Sequence, residues 1–184
     1  MKRVLDIVIA LLALLVASPL LLVVSVVIKL DSRGPVLFRQ QRVGLQGKHF
    51  EIYKFRTMVD KADVAGPYYT REGDPRITTI GSLLRRSSID ELPQLLNVLF
   101  GNMSLVGPRP DLPRQEADYS SEQWRKRHTV RPGITGLAQA RLRSDATHEQ
   151  RTLLDLQYVD DASVWFDLKI MGLTLQQVLF RGGN

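Results

Sequence analysis

Residues 4–30 read VLDIVIALLALLVASPLLLVVSVVIKL, an almost unbroken apolar run interrupted only by Asp6, Ser18, Pro19, Ser25 and Lys29. A straight helix of about 26 residues is roughly 39 Å long, enough to cross a hydrocarbon core of about 30 Å, so the plainest reading is a single spanning anchor. Ser18-Pro19 argues against it. Proline in mid-helix removes a backbone hydrogen bond and clashes with the carbonyl four residues back, which predicts a sharp bend. Each arm would then be about 12 residues and roughly 20 Å, too short to span alone. Lys2 and Arg3 at one end and Lys29 and Arg33 at the other all favour the cytoplasmic side. Together these favour a re-entrant helix, broken at Ser18 and Pro19, over a span. A secretory signal fits less well, because the apolar run continues past Ser18 and a proline follows the small-residue region.

Outward from this run the chain reads as soluble. Its 184 residues amount to one domain, and 25 Lys and Arg against 19 Asp and Glu give a net charge of +6. With 44% hydrophobic residues a packed core is expected and wholesale disorder is not. The absence of cysteine excludes disulfide scaffolds, thiol nucleophiles and thiolate metal sites. The three histidines, His49, His128 and His148, form no HExxH pair, which argues against a zinc hydrolase.

Residues 36–44 and 48–58 read as two short strands of a hairpin around Gly44 to Gly47, and the polar stretch 59–79 as a surface loop able to move over a site. Residues 80–84 and 91–100 read as helices, the second with Leu92, Leu95, Leu96 and Leu99 on one face. Residues 106–111 form a stiff turn, 112–126 return to helix, 131–136 form another rigid loop, and 148–179 read as helical.

Ser88-Ile89-Asp90-Glu91-Leu92-Pro93 is the stretch richest in chemistry. Proline is tolerated only in a helix's first turn, which puts the helix start around Asp90. An acidic pair there is explained by capping and the helix dipole alone. Its company adds a second explanation: Arg85-Arg86 precede it, and Lys54-Phe55-Arg56, Arg109 between two prolines and Arg131 before a third lie in rigid segments. A carboxylate beside phosphate-binding arginines suits holding a divalent metal or attacking phosphorus. Each arginine alone reads as a solvated charge, and no spacing makes them converge on Asp90.

The residues resemble a known family, the bacterial sugar transferases or monotopic phosphoglycosyl transferases. The similarity runs through the Ser18-Pro19 break, residues 54–58 (KFRTM), 89–95 (IDELPQL), 104–110 (SLVGPRP), 131–136 (RPGITG) and 155–159 (DLQYV). In length the chain is similar to the small members. The resemblance implies an α/β, mostly helical protein: a re-entrant membrane helix over 1–30 joined to a small membrane-associated catalytic domain over 31–184. A short β-hairpin and amphipathic interfacial helices are expected in that domain.

The reaction implied is transfer of a phosphosugar from a UDP-sugar to polyprenyl (undecaprenyl) phosphate. It takes place at the cytoplasmic face of the bacterial inner membrane, releases UMP and initiates glycoconjugate assembly. Asp90, matching the family's nucleophile, would form a phosphosugar-aspartyl intermediate. Glu91, the second member of the dyad, would assist the acceptor step or help Asp90 hold Mg²⁺. Lys54, Arg56, Arg85, Arg109, Arg143 and Asp155 are by motif position candidates for substrate binding or for positioning the dyad, with Pro110 stiffening the turn. The expected partners are the UDP-sugar, polyprenyl phosphate and inner-membrane lipid, with no nucleic acid and a homodimer left open. Two departures stand out: Asp111 where glutamate is usual, and Arg141-Leu142-Arg143 where Asn-Gly-Arg is common. The alternative is a basic membrane-anchored scaffold or nucleic-acid binder, motivated by the basic run from Arg125 to Arg143 and a pI of about 9.8.

Overall fold

A computed structural model describes residues 1–59, 62, 73–142 and 146–181, without the side chains of 178–181. The apolar run forms one helix, α1 (Lys2–Asp31), with Pro19 inside it. The expected division into two arms is therefore not an interruption of the helix, and a local reason is visible. Pro19 has no N–H to give the Leu15 carbonyl, and the Ser18 hydroxyl donates to that carbonyl instead, at 2.8 Å. The acceptor that proline orphans is satisfied by its neighbour.

Among the described residues, a narrow stripe of α1 is covered by the rest of the fold. Ala10 packs with Ile52, Leu95, Val98 and Met103, and Val24 and Ile28 pack with Phe55 and Leu84. Leu11, Leu12, Leu15, Val16, Leu22 and Val23 point outward and are exposed. Polar contacts tie both ends to the same body. At the start, Asp6 accepts from the Ser104 hydroxyl (2.9 Å) and the Leu105 amide (3.2 Å), Arg3 donates to the Val98, Leu99 and Met103 carbonyls, and Lys2 pairs with Asp167. At the end, Arg56 donates to the carbonyls of Ile28 (3.3 Å) and Ser32 (2.6 Å), capping the last turn.

The hairpin is present as expected: β1 (Leu37–Val43) and β2 (His49–Phe55) are antiparallel, from Leu37 opposite Phe55 to Val43 opposite His49. α2 (Thr79–Arg86) starts at the Thr78 hydroxyl, which accepts from the Gly81 amide. The helix expected from Glu91 divides in two, a 3-10 turn Ile89–Glu91 and α3 (Gln94–Phe100), with Pro93 at the junction. Asn97, fully buried in α3, accepts from the Tyr53 amide (2.9 Å) and donates to the Glu51 carbonyl (2.7 Å). A side-chain amide thus pairs with the edge of β2 that β1 leaves open.

Sequence patterning missed a second, parallel pair, β3 (Ser104–Val106) with β4 (Gly133–Thr135). These strands join the turns expected at 106–111 and 131–136. A Cβ at Gly107 would meet the Arg131 carbonyl, and one at Gly133 would meet the Gly107 amide, so both positions need glycine for this close backbone approach. The helix expected over 112–126 resolves into a 3-10 turn Pro113–Asp118 and α4 (Ser121–Arg127). After α5 (Leu137–Arg141), the expected helical segment 148–179 is two helices, α6 (His148–Asp161) and α7 (Val164–Arg181). The break falls at Ser163, whose hydroxyl accepts from the Phe166 amide and caps the start of α7. The whole is mostly helical, with one short antiparallel hairpin and one N-terminal apolar helix.

Candidate active site

Successive residues of β2 face opposite ways, so Lys54-Phe55-Arg56 serves three places. Lys54 donates to Glu91 Oε1 at 2.6 Å, Phe55 enters the core under α1, and Arg56 caps α1. Arg109 reaches the same Glu91 oxygen, at 3.0 Å, from the Pro108-Arg109-Pro110 turn. Pro110 is buried in that turn, and Arg42 donates to its carbonyl at 2.9 Å. Asp90 is buried in the 3-10 turn, and its carboxylate accepts no hydrogen bond from the described residues. Ser88, just before it, takes a left-handed backbone conformation (φ 56°), which turns the chain out of α2.

The two neighbouring carboxylates are driven apart electrostatically. Burial pushes Asp90 up to about 6, helped by the charge on Glu91 and opposed by Lys54, Arg85 and Arg109. Burial also works against ionised Glu91, but the Arg109 and Lys54 charges and their hydrogen bonds outweigh it and hold Glu91 down at about 2. Burial depresses Lys54, and Arg109 reinforces that, while Glu91 opposes it. Adjacent carboxylates with opposite shifts are a signature of divided roles. Glu91 is a fixed anion clamped by two cations, and Asp90 is an unclamped carboxylate free to engage a ligand.

Other residues expected at the site lie elsewhere. Arg56 touches the end of α1, as above, and not the dyad. Arg85 donates to the Thr57 hydroxyl at 2.8 Å, with its charge within reach of Asp90. Asp155 lies on α6 and accepts from buried Arg127 at 2.7 Å, and Arg127 also pairs with Asp111. Arg127 donates to the Arg109 carbonyl at 2.8 Å, so Asp155 and Asp111 act on the dyad through Arg127 and the turn it holds. Arg143 lies outside the described residues. Three residues that sequence reasoning missed border the dyad or its supports: Arg42, Gln94 and Arg127. The signal for Arg127 was obscured by the basic run around it. Arg127 and His128 in that run are interior, which weakens the reading of the run as a surface for nucleic acid.

Among the described residues no group of three or more His, Cys, Asp or Glu side chains comes together. Mg²⁺ is commonly held by one or two carboxylates with water and substrate phosphate completing its shell. The unpaired Asp90 beside Glu91 fits a cation arriving with a phosphorylated ligand, and does not form a cage of protein ligands.

Comparison with known proteins agrees with the family resemblance read from the motifs. The family model described as bacterial sugar transferase matches residues 1–181. An undecaprenyl-phosphate glucose phosphotransferase of Komagataeibacter xylinus is 46% identical over 97% of this chain and 36% of its own length. The exopolysaccharide production protein PSS of Rhizobium leguminosarum is 47% identical over 99% of this chain and 96% of its own. A UDP-N-acetylgalactosamine-undecaprenyl-phosphate N-acetylgalactosaminephosphotransferase of Aeromonas hydrophila is 41% identical over 97% of this chain and 43% of its own. The chain spans 36% and 43% of the length of the first and third of these relatives, under half of each. The family match over residues 1–181 places this chain in the bacterial sugar transferase family.

Proposed function

We propose that the protein transfers a sugar 1-phosphate from a UDP-sugar, with UDP-glucose the first candidate, to undecaprenyl phosphate. The observation that carries the proposal is the buried, unclamped Asp90 carboxylate beside a Glu91 held by Lys54 and Arg109. An Asp90 oxygen attacks the phosphorus that bears the sugar. The bond from that phosphorus to the bridging oxygen breaks, and UMP leaves with the electron pair. A phosphate oxygen of the lipid acceptor then attacks the same phosphorus, breaking the aspartyl bond and restoring the carboxylate. Glu91, ionised across the working range, fixes Lys54 and Arg109 where charge develops on the phosphoryl oxygens. Asp90 and Glu91 would hold Mg²⁺ together with substrate phosphate, and the bound ion would neutralise phosphoryl charge.

The same proposal places α1 as a re-entrant helix in the cytoplasmic leaflet of the inner membrane. Both its ends are tied by buried polar contacts to one body, and its outward face is apolar over most of its length. Trp165, Leu168 and Leu175 form an exposed stripe on α7, which suits an interfacial helix. Flanking cysteines introduced near Met1 and Arg33 should label from the same membrane face, and labelling from opposite faces rejects re-entry.

The enzymatic test is UMP release by the protein in nanodiscs with Mg²⁺, a panel of UDP-sugars, and acceptor present or absent. A stoichiometric UMP burst without acceptor, with a phosphosugar mass added on the peptide containing Asp90, is expected. Release that requires acceptor from the first turnover, with no adduct, rejects the covalent route.

A further inference from the structure

Beside the Glu91 ion pairs lies a small cavity lined by Arg42, Lys54, Gln94, Arg109 and Pro110. Its volume of about 10 Å³ is near the threshold for one water-sized oxygen. Three of the lining side chains are cations. The carboxylate facing them is Glu91, and it spends a single oxygen on both Lys54 and Arg109. Arg42 uses its terminal nitrogens on the Pro110 carbonyl and the Gln40 amide oxygen, leaving its Nε buried without a partner. Gln94 is 2% exposed, and its Nε2 is likewise buried and unpartnered.

A buried donor without an acceptor costs about 1–3 kcal/mol, and native interiors rarely leave one unmet. The two residues that carry these donors line one cavity, among an excess of positive charge. Burial and the neighbouring Arg109 lower Arg42 to about 10, as expected for a guanidinium short of a counter-charge. A ligand atom that suits these walls accepts hydrogen bonds, carries negative charge and is the size of one oxygen. Lys54 and Arg109 line the cavity and both donate to Glu91, so such an atom sits beside the dyad.

We propose that Gln94 Nε2 and Arg42 Nε are the donors of a phosphoryl-oxygen subsite which, with Lys54 and Arg109, seats one oxygen of a substrate phosphate beside Asp90 and Glu91. This rests on the transferase reading and deepens it by assigning the phosphate's contacts. The oxygen comes from the donor's diphosphate or from the acceptor's phosphate, and the kinetic arms below separate the two.

The test uses the full chain in nanodiscs, with inorganic pyrophosphate as the probe and Gln94→Met and Gln94→Glu as variants. Met fills the same space without a donor, and Glu places an acceptor and a charge against the ligand. Gln94→Met should weaken pyrophosphate binding about 10- to 100-fold, as expected for one hydrogen bond to an anion, and Gln94→Glu should weaken it further. A matching rise in the KM for UDP-glucose assigns the oxygen to the donor, and a rise in the KM for undecaprenyl phosphate assigns it to the acceptor. Pyrophosphate affinity and both KM values within twofold of wild type in Gln94→Met overturn the subsite. Pyrophosphate binding that depends on Gln94, in a protein that turns over no UDP-sugar, keeps the subsite and rejects the transferase reading instead.

Discussion

Asp90 is raised to about 6 and Glu91 lowered to about 2, although they are adjacent in sequence. The difference lies in what each meets: Lys54 and Arg109 close on Glu91, and no hydrogen bond from the described residues reaches Asp90. If Asp90 attacks phosphorus it must be ionised. The kcat/KM for UMP release should therefore rise with pH through about 6 and level off above it, and a pH profile of kcat/KM, which reports the free enzyme, checks this. The same shift bears on stability with a definite sign. Between the ordinary carboxylate value of 3.8 and about 6 the folded chain binds more protons than the unfolded one, so stability falls as pH rises through that window. Asp90→Asn removes the buried charge. It should abolish turnover while raising stability at neutral pH by about 1–3 kcal/mol, seen as a higher melting temperature. A variant that keeps near-normal turnover removes Asp90 as the nucleophile.

At the scale of elements, β2 and α3 carry the dyad's surroundings, and Asn97 joins them. Asn97→Leu would leave the Tyr53 amide and the Glu51 carbonyl without their partner in the interior. A loss of about 2–4 kcal/mol is expected, measurable by denaturant titration of the detergent-solubilised protein. In α1, Ser18→Ala should leave the Leu15 carbonyl unpaired beside Pro19 and lower stability by about 1 kcal/mol, because proline cannot supply the missing donor. These junctions mark the limit of what the sequence could disclose. The hairpin was legible because strand-forming residues flank a glycine-bounded turn. The β3–β4 pair was not, because three-residue strands carry no periodicity and are defined by which turns meet. Similarly, Ser163 divides α6 from α7 with an ordinary cap, hidden inside a continuous helical composition. Asp90 and Glu91 stood out by position next to Pro93, whereas Gln94 and Arg42 became visible only when folding brought them to the wall of one cavity, each with an unspent donor.

Across the whole molecule, α4 and α6 are tied to the turn that carries Arg109 by the Arg127 guanidinium. Arg127 ties Asp111 and Asp155 to the Arg109 carbonyl. Arg127→Met would leave two buried aspartates without their cation and free the turn that aims Arg109. A loss of about 3–5 kcal/mol is expected from the uncompensated charge. Arg127→Lys should recover part of the stability and less of the activity, because lysine cannot span both carboxylates and the carbonyl. Parallel melting curves and UMP-release rates for the two variants check this. From sequence the basic run containing Arg127 suggested a scaffold or nucleic-acid surface, because burial of an arginine depends on acids contributed from 16 and 28 residues away.

The way α1 is packed bears on how this protein can be handled. Ala10 belongs to one core, Val24 and Ile28 to another, and Asp6 closes a hydrogen-bond pair with β3. The helix is thus a wall of the folded body rather than a tether attached to it. Trimming the first 30 residues to make a water-soluble fragment would open two hydrophobic interiors at once and strip Arg56 of the carbonyls it caps. Expression of such a fragment should yield aggregate. Preparation of a folded sample therefore begins with the choice of lipid or detergent, because the amphiphile that shields the exposed face of α1 stabilises the same helix that closes two of the protein's cores.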